Sequence, residues 1–65
     1  MNEDLENQFN YAKRFVPTLE IEILHRKLIV KIKDRETLIL EGSDTLNQSS
    51  ALMYISGIII AHENL

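Results

Sequence analysis

Cysteine and tryptophan are absent from this 65-residue sequence, which has one proline and two glycines. Without cysteine the chain can form neither disulfide bonds nor thiolate metal sites, which often supplement the core of a small domain. A chain of this length buries only about 60% of the surface of its unfolded form. We therefore predict one small domain, residues 1–65, in which association with further copies, or else tight packing, supplies the missing stability; association is the favoured explanation.

A large charge of one sign is also absent, because ten acidic and seven basic residues give a formal net charge of −3. This balance argues against a general attraction to nucleic acid or to an anionic membrane. The first residues lack the basic and apolar regions of a signal peptide, and the apolar stretch at residues 52–61 is too short to cross a bilayer. The expected location is therefore cytoplasmic, with no membrane contact.

The N-terminal segment has the pattern of an amphipathic helix. Asn2 is a favourable N-cap, acidic residues follow it, and Lys13 and Arg14 come at the end, which is the charge order that the helix dipole favours. Pro17 disfavours helical geometry at the residue before it, so the predicted helix covers residues 3–14. Apolar residues at helical spacing form a narrow stripe, Leu5, Phe9, Ala12 and Val16, of which the last lies just beyond the predicted helix end.

From residue 19 the spacing of apolar residues changes from a helical period to alternation. Alternation of apolar and polar residues is typical of strands that have one buried face. It predicts three strands, at residues 19–24, 28–33 and 37–41, which are joined as an antiparallel meander.

The first predicted hairpin has a register in which apolar and charged pairs agree. A turn at residues 26 and 27 places Ile23 opposite Val30 on the core face and Glu22 opposite Lys31 on the outer face. The outer face is only partly polar, and either the first helix or a second chain could cover its apolar residues. These residues are Leu24, Ile29 and Ile39.

Residues 45–62 are predicted to form a second helix, with Ser43 in position to cap it. Its interior, residues 52–61, is almost entirely apolar, so a helix here has no polar face along its second half. Because the segment is rich in β-branched residues, a strand at residues 54–62 stays open as an alternative. The predicted fold class is α+β, in the order helix, three-stranded antiparallel β-meander, helix (αβββα), with one layer of helix on the sheet.

The excess of apolar residues is the strongest functional signal in the sequence. A small sheet with two helices has one well-covered face, so some large apolar side chains remain for contact with another protein. The residues predicted to bind a partner are Leu24, Ile29, Ile39, Met53, Gly57 and Ile60. We predict a non-enzymatic protein–protein interaction module, a small adaptor or inhibitor, that acts as a homo-oligomer and binds a further protein.

A basic run inside this acidic chain supports an alternative, a small DNA-binding regulator that uses the hairpin at residues 26–35. A two-stranded ribbon can enter the major groove and present basic side chains to bases or phosphates. Glu20 and Glu22 would share that face, which weakens the alternative. The basic residues concerned are Arg26, Lys27, Lys31, Lys33 and Arg35.

No catalytic, metal or cofactor motif stands out. Glu20 and Glu22 could form a carboxylate pair, but ion pairs with lysines of the next strand are the commoner role of such residues. His25 and His62 lack the neighbouring nucleophile and acid of a catalytic triad. The polar residues 47–50 could bind an anion at the start of the last helix, although a solvated helix end is the commoner explanation. The sequence therefore predicts neither an enzyme nor a bound cofactor.

Overall fold

A computed structural model describes all 65 residues of the chain. The predicted order of one helix, three strands and a second helix is confirmed, and residues 54–62 are helical rather than extended. Neither helix combines the length and the apolar character that a membrane-spanning segment requires. The elements are α1 (Glu3–Ala12), β1 (Glu20–Leu24), β2 (Lys27–Ile32), β3 (Arg35–Glu41) and α2 (Asp44–Glu63).

Both helices begin at residues whose side chains cap them. The Asn2 side chain accepts a hydrogen bond from the backbone N–H of Leu5, and Ser43 accepts one from Leu46 in the same way. These bonds satisfy N–H groups that have no partner within a helix. The helix starts were therefore readable from the sequence.

The end of α1 comes earlier than predicted. The backbone N–H groups of Phe15 and Val16 both donate to the carbonyl oxygen of Ala12, so the chain leaves the helix through a tight turn. Lys13 and Arg14 consequently lie beyond the last turn of α1 instead of within it. The second helix is longer than predicted by one residue at each end.

The three strands form an antiparallel sheet in the order β1-β2-β3, but the predicted register of the first hairpin is wrong. Ile23 lies opposite Leu28, and Val30 lies opposite Ile21. The pairing is displaced by two residues, which keeps every side chain on its predicted face because side chains alternate along a strand. Ile21, Ile23 and Val30 therefore still face the helices.

The turn between β1 and β2 explains this displacement. It consists of His25 and Arg26, because Leu24 and Lys27 already form the last pair of the ladder. Arg26 adopts a positive φ of 54°, a conformation that is uncommon outside glycine, asparagine and aspartate. Its N–H donates to Asp44 Oδ1 at 3.0 Å, so a residue of α2 holds this turn in place.

The connection between β2 and β3 is a two-residue turn at Lys33 and Asp34, both with positive φ, at 54° and 63°. Two such residues match the twist of a hairpin, although the Asn-Gly pair that usually signals this turn is absent. Further along, the register shifts between Val30 and Lys31, and the Thr37 hydroxyl donates to the Val30 carbonyl oxygen at 3.0 Å. This β-bulge was not apparent from the sequence.

The core lies between α2 and the inner face of the sheet. The second helix packs against β2 and β3, and α1 packs against α2 rather than against the strands. Leu38 and Leu40 of β3 face this core together with the inner residues of β2. The buried residues of the core are Leu5, Ala12, Leu19, Leu28, Val30, Ala51, Ile55 and Ile59.

The two helices run in the same direction. The Asn2 backbone N–H donates to Gln48 Oε1, and the Tyr11 hydroxyl donates to a carboxylate oxygen of Glu63, both at 2.6 Å. The start of α1 therefore lies near the start of α2, and the two C-terminal ends also meet. Between these contacts the core residues of α2 face α1 and the sheet, which leaves the opposite side of α2 uncovered.

Candidate interaction surfaces

The uncovered side of α2 carries three large apolar residues at seven-residue spacing. The exposed fractions of Leu46, Met53 and Ile60 are 66%, 77% and 59%. Seven residues are close to two helical turns, so the three side chains lie on one line along the helix. We call this surface the α2 stripe and include in it the small residues between them, which are Ser49, Ser50, Ser56 and Gly57.

The α2 stripe has no charged residue, because none occurs anywhere between Asp44 and His62. A helix face that remains in water normally carries polar and charged side chains. Gly57 adds a low point to the surface, since a methyl group built on it would meet no atom within 4 Å. The stripe therefore differs from an ordinary solvated helix face in its large apolar side chains and its lack of charge.

The structure brings together three of the residues predicted to bind a partner, Met53, Gly57 and Ile60, on this one face. The third large residue of the stripe, Leu46, was not among the predicted residues. Its spacing from Met53 equals that of Met53 from Ile60, and this heptad was visible in the sequence.

The outer face of the sheet forms a second, separate surface. Neither helix covers it, so the possibility that α1 covers its apolar residues is wrong. Leu24 and Ile39 are 45% and 47% exposed, whereas Ile29 is only 5% exposed between Glu22 on β1 and Ile39 on β3. Of the three apolar residues predicted there, Ile29 therefore contributes little accessible surface.

Charges on this outer face alternate from strand to strand. Lys31 Nζ lies 3.2 Å from a carboxylate oxygen of Glu22, and Lys27 Nζ lies 4.0 Å from Glu41. The Glu22 carboxylate, through its hydrogen bond and its charge, raises the pKa of Lys31 above its usual value of 10.5. The predicted pairing of Glu22 with Lys31 thus exists, but it runs diagonally because Glu20 is directly opposite Lys31.

The basic residues of the DNA-binding alternative are spread along the sheet. Arg26 and Lys33 occupy the turns at opposite ends of β2, which are about 20 Å apart for six extended residues. Lys27 and Lys31, between them, contact acidic side chains of the neighbouring strands, and Arg35 begins β3. The five side chains therefore do not form one continuous basic surface.

The glutamate and histidine residues considered as catalytic candidates take part in contacts within the fold or lie in a turn. Glu20 and Glu22 flank Lys31, and His25 lies in the first hairpin turn. The His62 ring stacks on Phe15, with ring centres 5.6 Å apart, and its Nδ1 is 2.9 Å from the Ile58 carbonyl oxygen. No group of three or more histidine, aspartate or glutamate side chains is arranged to hold a metal ion, and the surface has no pocket.

The polar start of α2 is only partly solvated, contrary to its sequence-based explanation. Asn47 is buried and donates from Nδ2 to the Gly42 carbonyl oxygen at 3.0 Å. Gln48 accepts the Asn2 backbone N–H described above. These two residues connect α2 to the end of β3 and to α1, and only Ser49 and Ser50 are exposed.

Comparisons with known proteins give no family. No protein-family model matches the chain, no curated protein matches its sequence, and no solved structure matches its fold.

Proposed function

We propose that this chain is a non-enzymatic protein–protein interaction module, a small adaptor or inhibitor, that binds through the α2 stripe. The observation that carries the proposal is the exposure of Leu46, Met53 and Ile60 along one uncharged line of a helix. Exposed apolar side chains that are aligned on one uncharged surface are a feature of sites of contact with other molecules. An amphipathic helix that fits a partner uses anchors at such helical spacing.

The free energy of burying Leu46, Met53 and Ile60 is consistent with a modest affinity. Full burial of a leucine, isoleucine or methionine side chain contributes about 1.5–3 kcal/mol. The exposed parts of Leu46, Met53 and Ile60 together therefore offer roughly 3–6 kcal/mol. Loss of translational and rotational freedom costs about 4–15 kcal/mol, so the partner must contribute apolar surface of its own.

The outer face of the sheet suits an adaptor that has two contacts. Leu24 and Ile39 lie on the side of the sheet away from the helices, whereas the α2 stripe faces outward from α2. A partner on one surface consequently leaves the other free. The alternating charges of the outer face would then select the partner and its orientation more than its affinity.

Photo-crosslinking tests the proposal directly. A photoreactive amino acid replaces Met53, and in a matched control it replaces Asn10, an exposed polar residue of α1 that lies outside the stripe. We expect covalent protein adducts from position 53 and few from position 10 when each chain is illuminated in cells. Equal labelling from both positions, or none from position 53, would contradict an interaction through the stripe.

A further inference from the structure

The α2 stripe has an internal twofold pattern. Leu46 and Ile60 lie at equal distances on either side of Met53, and small residues fill both intervals. If Met53 faced Met53 of an identical helix that runs in the opposite direction, Leu46 would face Ile60. Ser49 would then face Gly57, and the small residues of each helix would leave room for the large side chains of the twin.

We propose that α2 pairs with α2 of a second copy of this chain, antiparallel, about a twofold axis beside Met53. The inference rests on the proposed function, because it names the partner that binds the stripe. A twofold interface uses the same patch on both subunits, so that patch has to be complementary to itself. The arrangement of sizes around Met53 meets this condition along the whole stripe.

Charge at the ends of α2 favours the antiparallel over the parallel pair. Glu63 lies in the last turn, where the helix dipole is also negative. The first turn has the positive end of the dipole, and the opposite charges of Asp44 and Arg26 lie there together because the Arg26 backbone bonds to Asp44 and Gly42. Antiparallel pairing places Glu63 beside the positive dipole end of the twin, whereas parallel pairing would place the two Glu63 carboxylates side by side.

The seven-residue spacing also fixes how the two helices cross. On a straight helix such a stripe drifts by about 20° per heptad, so two copies remain in contact when they cross at about +20°. The line from Leu46 to Ile60 is roughly 21 Å long at 1.5 Å per residue, in a molecule whose longest dimension is 34 Å. Two flat α2 faces can therefore meet over most of their length.

The contact area predicts a weak dimer. An interface of ordinary size covers about 800 Å² of each partner, which is nearly a fifth of the 4430 Å² surface of this chain. A strip about 21 Å long and one helix, about 10 Å, wide is smaller than this. We therefore expect dissociation in the micromolar range rather than the nanomolar range.

Light scattering across a concentration series tests whether the dimer forms. The mass is expected to rise from 7.5 kDa towards twice that value as concentration increases. Gly57→Leu adds a bulky side chain where the twin approaches closely, at a position with open space in the single chain, and leucine favours helix more than glycine does. It should weaken association by about tenfold or more, whereas Asn10→Leu on α1 should leave association unchanged.

Cysteine crosslinking tests the direction of the helices, and the natural chain has no cysteine to interfere. Leu46→Cys and Ile60→Cys chains are mixed and mildly oxidised. The antiparallel pair predicts that the mixed disulfide forms in clear excess over dimers of either variant with itself. Preferential crosslinking of Leu46→Cys to itself and of Ile60→Cys to itself would show a parallel pair and overturn the proposal.

Light scattering and photo-crosslinking together distinguish a failure of self-association from a failure of the proposed interaction function. A mass that stays at 7.5 kDa up to about 1 mM protein overturns self-association. If the photoreactive group at Met53 then labels a different protein, the interaction function stands and only the twin is wrong. If it labels nothing, both fail.

Discussion

Arg26 donates its backbone N–H to Oδ1 of Asp44 across 3.0 Å, and its carbonyl oxygen accepts the backbone N–H of Gly42 at 3.1 Å. The turn of the first hairpin is thereby attached to the start of α2, although the two segments are 18 residues apart. The Asp44 carboxylate also lies in the first turn of α2, where the helix dipole favours a negative charge. One side chain thus stabilises both the hairpin turn and the helix.

Replacement of Asp44 should separate these two effects. Asp44→Ala removes the acceptor and the charge, and we expect it to lower the free energy of unfolding by about 1–2 kcal/mol. Asp44→Asn keeps an acceptor oxygen but loses the charge, so its loss should be smaller, about 0.3–1 kcal/mol. Urea unfolding of the three chains measures both values, and equal losses for Ala and Asn would show that the hydrogen bond to Arg26 contributes nothing.

The same bond shows why the register of β1 and β2 could not be read from the sequence. Sliding the pairing by two residues keeps Ile23 on the core face, opposite Leu28 instead of Val30, so the apolar pattern fits both registers. In the observed register the Arg26 turn is bonded to Asp44 and Gly42, which are distant in sequence and give no signal in the spacing of the strands. Helix caps such as Asn2 were predictable because their hydrogen bonds are made within three residues.

The candidate surfaces were predicted only in part, because local spacing in the sequence does not show which distant residues become neighbours. Alternation along the strands placed Leu24 and Ile39 on the outer face, and the apolar content of α2 indicated Met53 and Ile60. The low exposure of Ile29 depends on its neighbours across two strands, which sequence spacing alone does not give. Leu46, in contrast, could have been found from its heptad relation to Met53.

Asn47 offers a test of the buried contact between α2 and the end of β3. Asn47→Ala leaves the Gly42 carbonyl oxygen without its donor and should cost about 1–3 kcal/mol of unfolding free energy. Asn47→Asp should cost more at neutral pH, because a buried carboxylate faces that oxygen and cannot donate.

Acid should partly restore Asn47→Asp. Burial raises the pKa of the introduced carboxyl above about 3.9, so its protonated form can donate to Gly42 at low pH. The deficit relative to wild type should then grow as pH rises through the folded-state pKa. Unfolding curves at acid and neutral pH measure this change, and a deficit that does not depend on pH would contradict the expected donor role of Asn47.

Two adjacent isoleucines distinguish the core face of α2 from the stripe. Ile59 is buried and Ile60 is exposed, so the same substitution at each has a different cost. Ile59→Ala should lose about 2–5 kcal/mol of unfolding free energy, whereas Ile60→Ala in dilute solution, where the chain is monomeric, should change it by less than about 0.5 kcal/mol. Comparable losses at both positions would mean that the exposed side of α2 has been assigned incorrectly.

Alkaline pH should weaken the contact between the C-terminal ends of the two helices. The Tyr11 hydroxyl donates to the Glu63 carboxylate, and this hydrogen bond, together with the charge of Glu63, raises the pKa of Tyr11 above its usual value of 10.0. The folded chain therefore holds the Tyr11 proton more tightly than the unfolded chain does. Its contribution to stability is present in full below pH 10.0 and decreases as pH rises through the folded-state pKa.

Tyr11→Phe keeps the ring that packs edge-on against Phe15, at 5.6 Å between ring centres, and removes only the hydroxyl. Urea unfolding of wild type between neutral pH and pH 11 should show stability that falls above about pH 10. The variant should fall less steeply, with the remaining slope due in part to Lys31, whose pKa is also raised by its partner Glu22. Glu63→Gln removes the charge but keeps an acceptor, so its slope should lie between the two. A variant as steep as wild type would show that the Tyr11 hydroxyl does not link the helix ends in solution.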